Sequence, residues 1–203
     1  MRVPYYSYII LKKRLFKMRQ LLLLCLLILA QTSSAQVSEN LVYTYYSANA
    51  DTGSSLLKTL NKATPIRVDN RPFHGYTTWN VKWNYRWFEQ ADGRCKITKV
   101  TTDLTGNIKL PELVGATDEQ TAAFDKYVSA LRIHELGHYS IGKETATAID
   151  NGILALPEMS SCKELESAAN DLGYRTLEEY KEQEKQYDVS TAHGKTQGAW
   201  LQK

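Results

Sequence analysis

From Trp79 to Trp87 the chain alternates without a break. Trp79, Val81, Trp83, Tyr85 and Trp87 are separated by Asn80, Lys82, Asn84 and Arg86. Successive side chains of a strand point to opposite faces, so this segment has one polar face and one made of four aromatic rings and a valine. A face that apolar needs a second layer to cover it. Ala91-Asp92-Gly93 supplies a turn, and Cys95 to Leu104 returns as the partner strand. The apolar phase slips between Ile97 and Val100, which predicts a bulge. The aromatic stripe is read as core packing in preference to a peptide- or glycan-binding platform.

The covering layer is a long helix. Thr117-Asp118-Glu119-Gln120 forms a capping box. Phe124, Tyr127, Val128, Leu131, His134, His138, Ile141 and Thr145 then follow helical spacing towards a stop at Asn151-Gly152. Upstream, Leu41–Tyr46 reads as a strand, Asp51–Asn61 as a short amphipathic helix and Pro65–Val68 as a short strand before a turn at Asp69–Pro72. Leu110-Pro111 is taken as the end of the sheet region. Two shorter helices are expected downstream, one from Ser161 to about Gly173 and one from Thr176 to about Tyr187. The expected class is α+β: a small zincin-like domain, mainly antiparallel sheet, with the aromatic hairpin packed on the long helix and the C-terminal helices.

That helix carries His134-Glu135-Leu136-Gly137-His138. Residues four apart lie about 40° apart around a helix axis, so both imidazoles can share one cation. Glu135 can then act on a water as general base, the H-E-x-x-H arrangement of zinc metalloproteases. One Zn²⁺ per chain is expected, and a hydrolytic zinc takes three protein ligands. Glu144 has the metzincin spacing, but the glycine that would end the helix is one position late, at Gly142. On a continuous helix Glu144 lies about 100° off the ligand stripe. Glu164, Glu166, Glu178 and Glu179 are further carboxylates on the later helices. His193, beside the flexible Gly194, is the strongest candidate, with Asp188 or Thr191 supporting its second ring nitrogen. Tyr187 and His74 are candidate oxyanion donors.

The N-terminal segment sets the compartment. Residues 1–19 hold six basic residues and no acid, Leu21–Ala30 is apolar throughout, and Ser33 and Ala35 stand at the −3 and −1 positions of a cleavage site after Ala35. Residues 1–35 read as a signal peptide, with Met18 as an alternative start and Leu24 arguing against lipidation at Cys25. Residues 36–203 then form a single domain, exported to the periplasm or released, with no stable membrane insertion. Removing those six cations moves the formal charge from +3 to 3 − 6 = −3, so nothing basic remains to suggest nucleic acid. Cys95 and Cys162 are left as an even pair in an exported chain and are expected to form a disulfide.

Several of these features occur together and in order. They are Gly75-Tyr76-Thr77-Thr78-Trp79, Cys95, Leu110-Pro111, HELGH, Cys162 and Tyr187-Asp188-x-x-Thr191-x-His193-Gly194. The ordered set resembles a bacterial domain-of-unknown-function family whose members are described as predicted secreted zinc-dependent proteases. The resemblance spans about residues 40–197 and implies export, a zinc site and a paired cysteine bridge. The functional expectation is an exported zinc metalloprotease with His134, His138 and His193 on the metal and Glu135 as base. A peptide or protein substrate would lie extended along an edge of the hairpin. A zinc amidase acting on a non-peptide or cell-wall amide, and an inactive zinc-binding structural domain, are the alternatives.

Overall fold

A computed structural model describes residues 37–51 and 53–202. The expected signal peptide, with its start and its cysteine, lies outside the described residues. The elements are β1 (Val37–Asn49), α1 (Leu56–Ala63), β2 (Arg67–Val68), β3 (Arg71–Pro72), β4 (Tyr76–Glu89), β5 (Cys95–Val114), α2 (Asp118–Leu154) and α3 (Cys162–Thr191), followed by a 3₁₀ turn at Lys195–Gln197. The class is α+β. One layer is a three-stranded sheet of order β1-β5-β4, antiparallel between β4 and β5 and parallel between β1 and β5.

The alternation of β4 sets the packing. Trp79, Val81, Trp83 and Tyr85 face the helices, while Asn80, Lys82, Asn84 and Arg86 are exposed. The bulge falls where the phase slips: Arg86 pairs Lys99 and Trp87 pairs Ile97, leaving Thr98 as the extra residue. Asp69 and Asn70 link β2 to β3 with φ of 49° and 63°, the two left-handed residues of a tight hairpin turn. The expected turn over 69–72 is therefore narrower, and Arg71–Pro72 is strand.

Two boundaries differ from the sequence reading. The sheet does not end at Leu110-Pro111, because β5 continues to Val114 in parallel register with β1. Pro111 lies past the last β4 partner, Lys109, where β5 has β1 alone beside it and a missing N–H can face the open side. The two expected C-terminal helices are one, because Gly173 lies inside α3 instead of ending it. It is kept there by the Trp83 indole: a Cβ at residue 173 would stand 2.6 Å from that ring.

Helix α2 begins at the expected Thr117 capping box and runs unbroken past Gly142 and Gly152 to Leu154. Gly142 receives Trp79, and Tyr139 settles over Gly106 of β5. Cys95 and Cys162 are disulfide-bonded, tying the first residue of β5 to the first residue of α3 across 67 residues. Main-chain hydrogen bonds between Cys95 and Met159 run beside that link. A disulfide is compatible with an extracellular location. Among the described residues no helix is long and apolar enough to cross a membrane.

Candidate metal centre

The site lies where α2 and the last turns of α3 meet. His134 and His138 point from α2 towards Asp188 of α3, whose Oδ1 is 3.2 Å from each of their Nε2 atoms. These three donors lie within 4.8 Å of one another. Donors about 2.0–2.2 Å from a tetrahedral ion stand roughly 3.3–3.6 Å apart, so the two 3.2 Å separations are close to what a zinc-sized cation needs. Two imidazoles and a carboxylate are also a donor set that such a cation accepts.

Each imidazole is gripped at its other nitrogen. His134 Nδ1 faces Gln197 Oε1 at 3.0 Å, an acceptor that would hold the Nδ1 proton and leave Nε2 to a bound cation. Gln197 is itself oriented, because its amide donates to Tyr187 Oη at 3.0 Å. His138 Nδ1 faces Glu184 Oε1 at 3.4 Å, and that same oxygen accepts the Trp79 indole N–H at 2.7 Å. One aromatic of the hairpin thus steadies the carboxylate behind His138.

Tyr187 completes the packing. Its ring stacks on His134 at 5.2 Å and meets His138 edge-on at 5.0 Å. Its hydroxyl donates to the His134 carbonyl at 3.1 Å, directly over Gly137. The glycine inside HELGH has a steric purpose, since a Cβ there would collide with the phenol.

Glu135 is 4% exposed and faces the sheet. The Thr77 hydroxyl lies 2.7 Å from Glu135 Oε2 and 3.0 Å from its carbonyl, and Gly75 is in contact with the carboxylate. Burial pushes the Glu135 carboxyl above the ordinary range, while the Thr77 hydroxyl and the two imidazoles work against it. Burial acts the same way on Asp188, but the hydrogen bonds from His134 and His138 and the charges of His138 and His193 outweigh it and hold that carboxyl well below the carboxylate range. For His138, burial acts downward; Asp188 and Glu184 overcome it and push the imidazole up to about 9.

The other residues named from sequence are placed as follows. His193 is outside the three-donor set; its ring is 60% exposed, edge-on to Phe73, with Nδ1 3.5 Å from Asp188 Oδ1. Thr191 Oγ1 donates to the Tyr187 carbonyl at 2.8 Å and accepts the Gly194 N–H at 3.3 Å, fastening the end of α3 without touching an imidazole. His74 has both ring nitrogens engaged, by Tyr127 Oη at 2.7 Å and Asn61 Oδ1 at 2.9 Å. The Tyr187 hydroxyl is committed to the His134 carbonyl and Gln197. Glu144, Glu166, Glu178 and Glu179 are exposed, and Glu164 bonds Ser160 at the start of α3.

Glu184 and Gln197 were not singled out from sequence, and Asp188 was assigned only a supporting part. One signal was present: Glu184, Tyr187, Asp188 and Thr191 repeat at helical spacing. It becomes readable once α3 is known to continue to Thr191. Gln197, in a short turn with no periodicity, left no comparable mark.

Residues 43–194 match the model of a bacterial family described as protein of unknown function, DUF922, and the chain belongs to that family. No curated protein and no solved structure matches it.

Proposed function

We propose that this domain is an exported zinc-dependent hydrolase that cleaves peptide bonds, with His134, His138 and Asp188 as metal ligands. The observation that carries the reading is the convergence of those three donors, from two helices, beside the buried carboxylate of Glu135. Three protein donors leave a position for water or substrate, whereas a closed four-donor site would favour a structural role. Bound Zn²⁺ would supply Lewis acidity and bring the pKa of a coordinated water towards neutrality.

The chain's own groups do the rest. Glu135 accepts the proton of the attacking water and returns it to the leaving amine. Its burial suits both tasks, since a carboxyl with a raised pKa is a closer match for proton exchange near neutral pH. Thr77 and Gly75 fix where that carboxylate points. The strand that supplies Thr77 is β4, at the edge of the sheet. An extended peptide pairing with that edge would pass beside Glu135, which favours a peptide over a compact amide substrate.

The test is zinc content and turnover together. The purified domain should hold one zinc per chain and cleave a quenched-fluorescence peptide library, with activity lost to a chelator and restored by zinc. Glu135→Gln should keep the zinc and lose cleavage by at least about 10²-fold. Full cleavage by a zinc-loaded Glu135→Gln would remove that residue from the mechanism.

A further inference from the structure

We infer that the turn following α3, residues 192–197, is a positioning clamp for the metal centre: His193 holds Asp188 and Gln197 holds His134. The inference rests on the metal-site reading above and assigns His193 a place behind a ligand instead of on the metal.

The turn is built at a cost. Ala192 and His193 both have left-handed backbones, with φ of 47° and 51°, followed by Gly194 at 81°. A left-handed residue other than glycine costs about 1–2 kcal/mol, and two in succession need strong support from their surroundings. That support is present. The His193 N–H donates to the Asp188 carbonyl at 2.8 Å, the Gly194 N–H reaches Thr191 Oγ1, and the Ala199 N–H returns to the Gly194 carbonyl at 3.0 Å. Gly194 is also seated against the His134 ring, where a Cβ would stand 3.0 Å from Cγ.

This strained path puts two side chains onto two donors. His193 Nδ1 stands 3.5 Å from Asp188 Oδ1, the oxygen that faces both helix-borne imidazoles. Four residues on, Gln197 closes a ring of hydrogen bonds through the His134 imidazole, its own amide and the Tyr187 hydroxyl, which returns to the His134 carbonyl. The third donor, His138, is steadied by Glu184 of α3, whose carboxylate Trp79 of β4 holds in turn. Every donor therefore has one outer partner, and two of the three partners come from a six-residue turn. Partners of this kind fix ligand orientation and typically contribute 10–100-fold to metal affinity.

The experiment measures zinc affinity against a competing chelator, together with the visible spectrum of the Co²⁺-loaded protein and the ¹⁵N tautomer signal of His134. Wild type and His138→Ala define the two ends of the scale. Gln197→Ala and His193→Ala should each bind zinc about 10–100-fold more weakly than wild type, with an unchanged Co²⁺ spectrum. Gln197→Glu keeps an oxygen acceptor on Nδ1 and should retain wild-type affinity, and Gln197→Ala should lose the single tautomer. Far-UV circular dichroism verifies folding; His193→Gln and Gln197→Leu replace any alanine variant that fails it. Affinities within about twofold of wild type would overturn the clamp. So would loss of binding in His193→Ala as complete as in His138→Ala, which would make His193 a ligand. A wild type that binds no zinc would defeat the metal-site reading itself, and the clamp with it.

Discussion

The Tyr187 hydroxyl donates to the main-chain carbonyl of His134 at 3.1 Å, and it reaches that carbonyl across residue 137 because residue 137 is glycine. The relationship separates two variants. Tyr187→Phe keeps the ring stacked on His134 and loses the hydroxyl's bonds, so it should cost about 1 kcal/mol. Gly137→Ala would gain up to about 1 kcal/mol of helix propensity, but drives a methyl into the phenol, and overpacking of this kind costs about 1–3 kcal/mol or more. We expect Gly137→Ala to be the more damaging of the two in urea denaturation. An alanine variant as stable as wild type would mean that the two helices do not approach this closely.

Stability should depend on pH through His74, which is not among the metal donors. Burial lowers its pKa from 6.5 to about 4, with Tyr127 and Asn61 taking up both ring nitrogens. A group whose folded pKa is depressed contributes stability that is full above the unfolded value and lost as pH falls. The loss should therefore develop between pH 6.5 and 4 and reach about 3 kcal/mol at the lower end. His74→Gln cannot titrate there, so the wild-type advantage over it should shrink across that window. A constant difference between the two, followed by denaturation at each pH, would show that His74 takes up its proton without penalty.

Where periodicity carried information, the sequence was readable. The alternation from Trp79 to Trp87, the slip at Thr98, the Thr117 capping box and the uninterrupted α2 all follow from spacing that one face of an element imposes. The failures share a cause. Pro111 and Gly173 are breakers by local preference, and at each a neighbour decided otherwise: β5 has β1 alone beside it at Pro111, and Trp83 fills the space that a side chain at Gly173 would need. The position of Asp188 was hidden for the same reason. Ending the last helix near Tyr187 placed Asp188 in a loop, while four more residues of helix carry its carboxylate to 3.2 Å from both histidines. Gln197 was invisible because hydrogen bonding across a turn leaves no period in the sequence.

The Cys95–Cys162 disulfide closes a loop of 67 residues that contains most of β5 and all of α2. In the chain-entropy description such a loop contributes on the order of 4 kcal/mol through the unfolded state. A Cys95→Ser/Cys162→Ser double variant should lose about that much in guanidinium denaturation while retaining the zinc affinity of wild type, because the bridge joins β5 to the first turn of α3 whereas Asp188 lies in its last turn and the histidines lie on α2. A matching loss of zinc affinity would mean that the bridge also holds the donor geometry.

Gly173 allows a prediction in which two ordinary effects have opposite signs. Glycine in a helix interior is worth about 1 kcal/mol less than alanine, so at an open position Gly173→Ala would stabilise α3 by that amount. Here the new methyl would stand 2.6 Å and 2.7 Å from two carbons of the Trp83 indole, well inside contact distance. The indole has little freedom to retreat. It meets Tyr174 edge-on at 5.3 Å, and its N–H reaches Asn170 Oδ1 at 3.3 Å. Overpacking should therefore win, with Gly173→Ala less stable than wild type by about 1–3 kcal/mol. The double variant Gly173→Ala/Trp83→Leu removes the ring and should recover part of that loss relative to Trp83→Leu alone. The measurement is a double-mutant cycle from chemical denaturation, and its coupling term should exceed about 1 kcal/mol. A stabilised single variant with no coupling would mean that α3 does not pass over the aromatic face of β4 at this glycine.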